Sequence, residues 1–298
     1  IYDKAGNNKT ISCNLDNKNQ TTLPSSSSSS TKSSSTKSSS SSSTKSSSSS
    51  SKSSSTSYTP PANSKTLNIT AGTYERTDYD SEMSYIEVIP QGATTNMPLV
   101  IYLDGARSYV NFPNIVLGRS IIKYVQNGNA YDEVGKKFLL ISPRYVISDG
   151  KNGTLNWYGS HGPREASKIA GLINHIYKKY QIDRSRIYIT GVSLGGDGVW
   201  YMINAYPSVY AAGTVVSGCA FEANPSNFKT TPILGYNGTG QVEKNTGYTS
   251  CVPSMINKIK NAGGTAESRV KSGWDHSSMV NVYSTDKDVF KWMFNYHK

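Results

Sequence analysis

The sequence predicts an α/β fold with a mostly parallel central sheet and helices on both faces. Two observations carry this. After Pro60-Pro61, short β-branched or aromatic runs alternate with segments of helical periodicity. The run Gly191-Val192-Ser193-Leu194-Gly195-Gly196 also stands where a predicted strand meets a predicted helix, a position that favours a tight, glycine-flanked turn.

Strands are predicted near Ser84–Ile89, Leu99–Leu103, Phe138–Ser142, Arg186–Thr190, Gly213–Ser217, Pro232–Tyr236 and Glu267–Val270, most of them short runs rich in β-branched, aromatic or aliphatic residues. The clearest helix is Glu165–Tyr180. There Ile169, Leu172, Ile173, Ile176, Tyr177 and Tyr180 recur at spacings of three and four, forming one apolar stripe. A second helix is predicted over Cys251–Asn261, ended by Gly263-Gly264. A third, Asp288–Asn295, sets Val289, Trp292 and Met293 on one face.

Length alone would overcount domains in this 298-residue chain, because its first sixty residues are unlike the rest. Ser25 to Ser57 is almost wholly Ser, with Thr and spaced Lys, and has no apolar side chain to offset the entropy of ordering. We divide the chain into a tail or remnant of a preceding module over residues 1–24, a flexible linker over 25–61, and one folded domain over 62–298.

The formal net charge is +11, but residues 1–57 carry seven Lys against two Asp, leaving +6 for the remainder. No basic run interleaved with aromatics stands out in the folded part, which argues against a nucleic-acid partner. No apolar stretch approaches the length of a membrane span, and residues 1–24 lack a signal-peptide core. The Ser-rich linker and the five Asn-x-Ser/Thr sites at Asn8, Asn19, Asn68, Asn152 and Asn237 fit a secreted, extracellular product. Of the three cysteines, Cys219 and Cys251 lie in the folded region, either bonded to each other or as two buried thiols.

Ser193 sits where a nucleophile must be presented above the carboxyl edge of a sheet. A serine hydroxyl is a poor nucleophile at neutral pH and needs a general base. In the chain order nucleophile, acid, histidine, only His276 and His297 qualify as base. His276 follows the last predicted strand in a Gly-containing loop, whereas His297 is penultimate, so His276 is the expected base. His161 precedes Ser193 in a loop, and His175 falls opposite the apolar stripe of its helix, on a face expected to be solvated. The acid comes from the loop after Pro232–Tyr236, which has no Asp but contains Glu243, or one strand earlier, from Glu222. Asp275 neighbours His276 directly, and consecutive side chains diverge, so it is set aside. The backbone N–H of Leu194 and that of Ala106, in the loop Asp104-Gly105-Ala106-Arg107 after a strand, are the expected oxyanion donors. Asp104 itself reads as a structural hydrogen-bond acceptor. No metal and no organic cofactor are required for this chemistry.

The block Asp183-Arg184-Ser185-Arg186-Ile187-Tyr188-Ile189-Thr190-Gly191-Val192-Ser193-Leu194-Gly195-Gly196, with the following Tyr206-Pro207, resembles the α/β-hydrolase esterase group of feruloyl esterases, acetylxylan esterases and polyhydroxybutyrate depolymerases. The resemblance covers roughly residues 99–298. It implies Ser193 as nucleophile and His276 as base. Two departures stand out: Asp104-Gly105 replaces the usual His-Gly, and Asn237-Gly238-Thr239-Gly240-Gln241 replaces a usual His-Gly-x-x-Asp, which leaves the acid between Glu243 and Glu222.

The resemblance implies cleavage of acyl esters on plant cell-wall polysaccharide, feruloylated or acetylated xylan. Feruloyl esterase is the first expectation, followed by acetylxylan esterase and polyester depolymerase. Trp157, Tyr158 and Trp274 are the aromatics expected to stack on a phenolic acyl group or a sugar face, with ordinary loop packing as the equal alternative. The linker is the arrangement expected of a modular enzyme tethered to an insoluble polymer through a carbohydrate-binding or scaffold-docking module. A hydrolase fold retained as a catalytically silent carbohydrate-binding module is the alternative of another class.

Overall fold

A computed structural model describes residues 63–81, 83–106, 112–144, 157 and 162–298. The tail 1–24 and the linker 25–61 lie outside the described residues. Eight strands form one sheet in the order β1-β2-β4-β3-β5-β6-β7-β8. They are β1 Gly72–Asp80, β2 Met83–Ile89, β3 Leu99–Leu103, β4 Leu139–Pro143, β5 Ile187–Val192, β6 Ala212–Val216, β7 Ile233–Gly238 and β8 Ala266–Lys271. β2 pairs antiparallel with β1 and with β4, and every pairing from β4 through to β8 is parallel. The α/β class predicted from the alternation is the class observed.

Alternation along the strands builds two cores. Leu99, Ile101 and Leu103 of β3 point to one face, with Ile189 and Val215. Val100 and Tyr102 point to the other, with Tyr188, Val216, Leu234 and Tyr236. On the first face pack α4 Gly162–Tyr180, α5 Leu194–Ala205 and α7 Tyr248–Asn261, through Leu172, Ile176, Val199, Trp200, Ile203, Val252, Ile256 and Ile259. The second face is covered by α1 Asn114–Leu117, α2 Ser120–Gln126, α3 Asn129–Val134, α8 Val282–Thr285 and α9 Val289–Phe294. The short helix α6 Gln241–Thr246 follows β7. Covering both faces is what lets five consecutive buried residues, Leu99 to Leu103, form a strand without a polar position.

The structure departs from the sequence reading at several elements. β1 was not anticipated, because its residues Gly72-Thr-Tyr-Glu-Arg-Thr-Asp-Tyr-Asp80 form a half-exposed edge strand with little apolar signal. The short helices α1 to α3 were also missed, being too brief to show periodicity. Tyr177 belonged to the predicted stripe of α4 but is exposed, with Arg184 stacked 4.0 Å over its ring. His175, expected on a solvated face, packs against Tyr79 with ring centroids 5.7 Å apart and lies 3.5 Å from Asp78.

Helix α7 starts earlier than its predicted first residue and contains Pro253. Proline has no N–H to donate to Thr249, and that carbonyl accepts instead from Nδ2 of Asn237 at 3.4 Å. Asn237, one of the five sequons, is therefore a buried residue of β7, only 1% exposed, and the folded chain closes it to glycosylation. Asn68 is exposed. Cys219 and Cys251 are bonded, with a Cα–Cα separation of 5.4 Å, which resolves the cysteine alternatives in favour of the bridge.

Candidate active site

The carboxyl ends of β3, β5, β6, β7 and β8 meet at one edge of the sheet, where the candidate residues converge. Ser193 follows β5 directly and heads α5, with φ 57° and ψ −125°, a strained conformation for a non-glycine residue. The glycines around it are a steric necessity. A Cβ on Gly195 would stand 1.9 Å from the carbonyl oxygen of Leu103, and one on Gly191 would stand 2.3 Å from that of Gly195. The turn lifts the serine side chain while its own N–H donates to Val216 at 2.8 Å.

His276 lies in the loop after β8, at the start of a 3-10 turn, His276–Asn281. Its Nε2 is 2.8 Å from Oγ of Ser193, and its Nδ1 is 2.5 Å from Oε1 of Glu243. Glu243 is wholly buried, and its other oxygen accepts from Ser217 Oγ at 2.9 Å and from the N–H of Gly238 at 3.1 Å. Each carboxylate oxygen thus has a partner, the condition under which a buried charge is tolerated. Tyr248, at the start of α7, stacks flat on the imidazole, with ring centroids 4.9 Å apart and planes within 9°. The arrangement is a serine, an imidazole and an oriented carboxylate in hydrogen-bonded series.

Of the two carboxylates left open by the sequence, Glu243 joins this chain. Glu222 stands exposed in a turn after β6, with φ 60°. Asp275 has a part that sequence reasoning missed. Its Oδ1 accepts from the N–H of His276 at 2.9 Å, of Val242 at 2.8 Å and of Glu243 at 3.3 Å, tying the histidine loop to the loop bearing the acid. The two loops touch so closely that Gly240 donates to the carbonyl of Trp274 at 2.7 Å. An acid beside a histidine was read only as a competitor for the imidazole, so neither Asp275 nor Tyr248 was singled out.

The remaining residues fall as follows. Leu194 is the first residue of α5, where the helix presents unsatisfied N–H groups. Gly105 and Ala106 follow β3, and a Cβ on Gly105 would lie 3.3 Å from Cβ of Ser193. Asp104 is a hydrogen-bond acceptor, 3% exposed, receiving Tyr102 Oη at 2.8 Å and Arg119 Nε at 2.9 Å. Burial, with Asp104 beside it, pushes the Tyr102 phenol well above its usual pKa and keeps it a donor. Asp197, in the first turn of α5, accepts from the N–H of Cys219 at 2.6 Å, and burial raises its carboxyl well above the usual range.

Two aromatic expectations are affected. Trp157 is corrected: it is 3% exposed and belongs to the core, its ring 2.7 Å from where a Cβ on Gly198 would stand, so it is packed rather than offered to a substrate. Trp274 is partly buried, two residues before His276, with Lys271 Nζ 5.6 Å from its ring. Tyr158, Arg107 and His161 lie outside the described residues. Among the described residues no cluster of three or more His, Cys, Asp or Glu is disposed to hold a metal, and no helix is long and apolar enough to cross a membrane.

The family model described as esterase PHB depolymerase matches residues 83–235, half of the chain, including the Gly191–Gly196 turn, the elbow that carries Ser193. The chain belongs to that family. The chain is 35% identical over 174 residues to feruloyl esterase B of Thermothelomyces thermophilus, covering 55% of each chain. It is 26% identical over 149 residues to poly(3-hydroxyalkanoate) depolymerase C of Paucimonas lemoignei, covering 46% of this chain and 32% of that one. The chain therefore spans about a third to just over half of the length of these curated relatives. Acetyl xylan esterase from Aspergillus awamori superposes with a TM-score of 0.54 at 16% identity, covering 75% of this chain and 99% of that one, so the two share the α/β-hydrolase fold. The family comprises carboxylic-ester hydrolases, and the candidate site lies within that fold at the sheet edge where such chemistry is built.

Proposed function

We propose that this protein is an esterase that uses Ser193 to cleave ester-linked acyl groups from plant cell-wall polysaccharide through an acyl-enzyme, with feruloyl groups on arabinoxylan as the first substrate. The observation that carries the reading is the unbroken series Ser193 Oγ, His276, Glu243, with successive distances of 2.8 Å and 2.5 Å. His276 Nε2 takes the serine proton as Oγ attacks the ester carbonyl, and returns it to the departing alcohol. Glu243 holds Nδ1–H, fixes the ring orientation and stabilises the imidazolium. The developing oxyanion meets the N–H groups of Leu194 and Ala106. Water activated by the same imidazole then releases the acid and restores Ser193. Each step is proton transfer and acyl transfer, for which these side chains suffice.

The substrate class rests on the relatives: a feruloyl esterase at 35% identity favours the phenolic acyl group. The acetyl xylan esterase and the depolymerase support acetylated xylan and polyester as the second reading. A secreted location is part of the proposal, supported by the Cys219–Cys251 bridge and the exposed sequon at Asn68. Tethering by the Ser-rich linker to a polysaccharide-binding or scaffold-docking module completes it.

Hydrolysis rates on methyl ferulate, acetylated xylan and a short polyester, each with Ser193→Ala as control, test the reading. The ferulate ester is expected to turn over fastest, with loss of roughly three or more orders of magnitude in the variant. Binding to xylan with no Ser193-dependent turnover on any of the three would instead identify a silent binding module.

A further inference from the structure

The oxyanion loop carries a buried negative charge. Asp104 lies one residue before Gly105, which packs on Ser193, and its backbone oxygen would stand 2.8 Å from a Cβ on Gly195. Two residues further comes Ala106, so the carboxylate sits within about 10 Å of any oxyanion held there. An uncompensated carboxylate at that range, in a partly desolvated site, opposes the charge that builds up on the carbonyl oxygen. Asp104 nevertheless suits the loop. Its oxygens take the Tyr102 hydroxyl and the Arg119 guanidinium, which pins the end of β3 to the residue preceding α2. Tyr102 in turn packs edge-on against Tyr283, whose hydroxyl is 2.8 Å from Thr190 Oγ1, directly before the elbow.

We propose that Arg119 is a charge-compensating positioning residue: by pairing with Asp104 it lets an acidic anchor hold the oxyanion loop without opposing the oxyanion. The inference rests on the proposed roles of Ser193, Leu194 and Ala106. Its consequence is specific. The penalty for losing Arg119 comes from the carboxylate left behind, so removing that carboxylate as well relieves it. A merely structural ion pair also couples in such a cycle, but there the loss and its relief are read in stability and not in kcat at unchanged KM.

The test is a double-mutant cycle in the full chain on a soluble aryl ester, with kcat and KM separated and Ser193→Ala measured first. Arg119→Met is expected to lower kcat roughly tenfold with KM nearly unchanged. Asp104→Asn keeps an acceptor for Tyr102 and is expected to stay within about threefold of the parent. The double variant is expected to recover to within about threefold of Asp104→Asn. Arg119→Gln, uncharged but still a donor, carries the same expectation should the methionine variant fail to fold, as judged by thermal melting. A double variant no faster than Arg119→Met, or a loss confined to KM or to stability, overturns the inference and leaves the proposed function standing. Absence of Ser193-dependent hydrolysis in the parent chain overturns both.

Discussion

Glu243 Oε1 lies 2.5 Å from Nδ1 of His276, joining a residue that follows β7 to one that follows β8, thirty-three positions apart in sequence. The carboxylate is fully buried and spends its second oxygen on Ser217 and Gly238, so its orientation is set before any substrate arrives.

Replacing Glu243 should therefore be far more damaging than replacing Glu222. Glu243→Gln keeps the volume but leaves the imidazole without an anionic partner, and kcat is expected to fall by about three to four orders of magnitude. Glu222→Ala, at an exposed turn, is expected to stay within about twofold. Steady-state rates on one aryl ester decide it, and similar losses in the two would remove Glu243 from its role.

Gly240 tests the junction between the acid and histidine loops. A Cβ there would stand 2.7 Å from Cα of Asp275 and 2.8 Å from the carbonyl oxygen of Trp274, both backbone atoms that cannot swing aside. Gly240→Ala is expected to cost about 1–3 kcal/mol of stability and to lower kcat by at least about tenfold as the loops separate. Urea denaturation and kinetics on the same preparation provide the check; parent-like activity would show that the junction does not position the pair.

The Cys219–Cys251 bridge closes a separation of 32 residues, linking the loop after β6 to α7, the helix that carries Tyr248 over the imidazole. By chain entropy such a closure contributes about 3–4 kcal/mol. Cys251→Ser should lower the denaturant midpoint accordingly, and reductant should shift the parent chain to the same value. If reductant leaves the midpoint unmoved, the bridge does not form in the folded protein.

Asp197 predicts a pH dependence of stability. Its folded pKa is raised above the ordinary 3.8, so its contribution favours folding below that value and is lost as pH rises above it. Asp197→Asn retains an acceptor for the Cys219 N–H while removing the burial of a charge. Thermal melts between pH 4 and 8 should show a flatter profile for the variant and a neutral-pH Tm at or above that of the parent. A lower neutral-pH Tm with an unchanged slope would contradict the assignment.

Much of the site was legible because its information is local. A glycine on each side of Ser193 and an apolar strand before it specify the elbow, and the turn geometry follows from steric exclusion within a few residues. His276 was legible from chain order and from its loop after the last strand. Trp157 was not: whether an aromatic is packed or offered depends on what lies opposite, here the bare backbone of Gly198, forty-one positions away. β1 stayed hidden because an edge strand open to water needs no apolar pattern.

By itself the sequence determined the α/β class and the strand-to-helix turn at Ser193, and it singled out one histidine and two carboxylates as candidates. Only the tertiary structure set Glu243 rather than Glu222 against His276, gave Asp275 three backbone donors, closed the cysteine bridge and buried Asn237. The physical reason is range. Periodicity and glycine spacing encode dihedral angles and burial within one element, whereas a contact between the loops after β7 and β8 exists only once the strand order has placed their ends side by side.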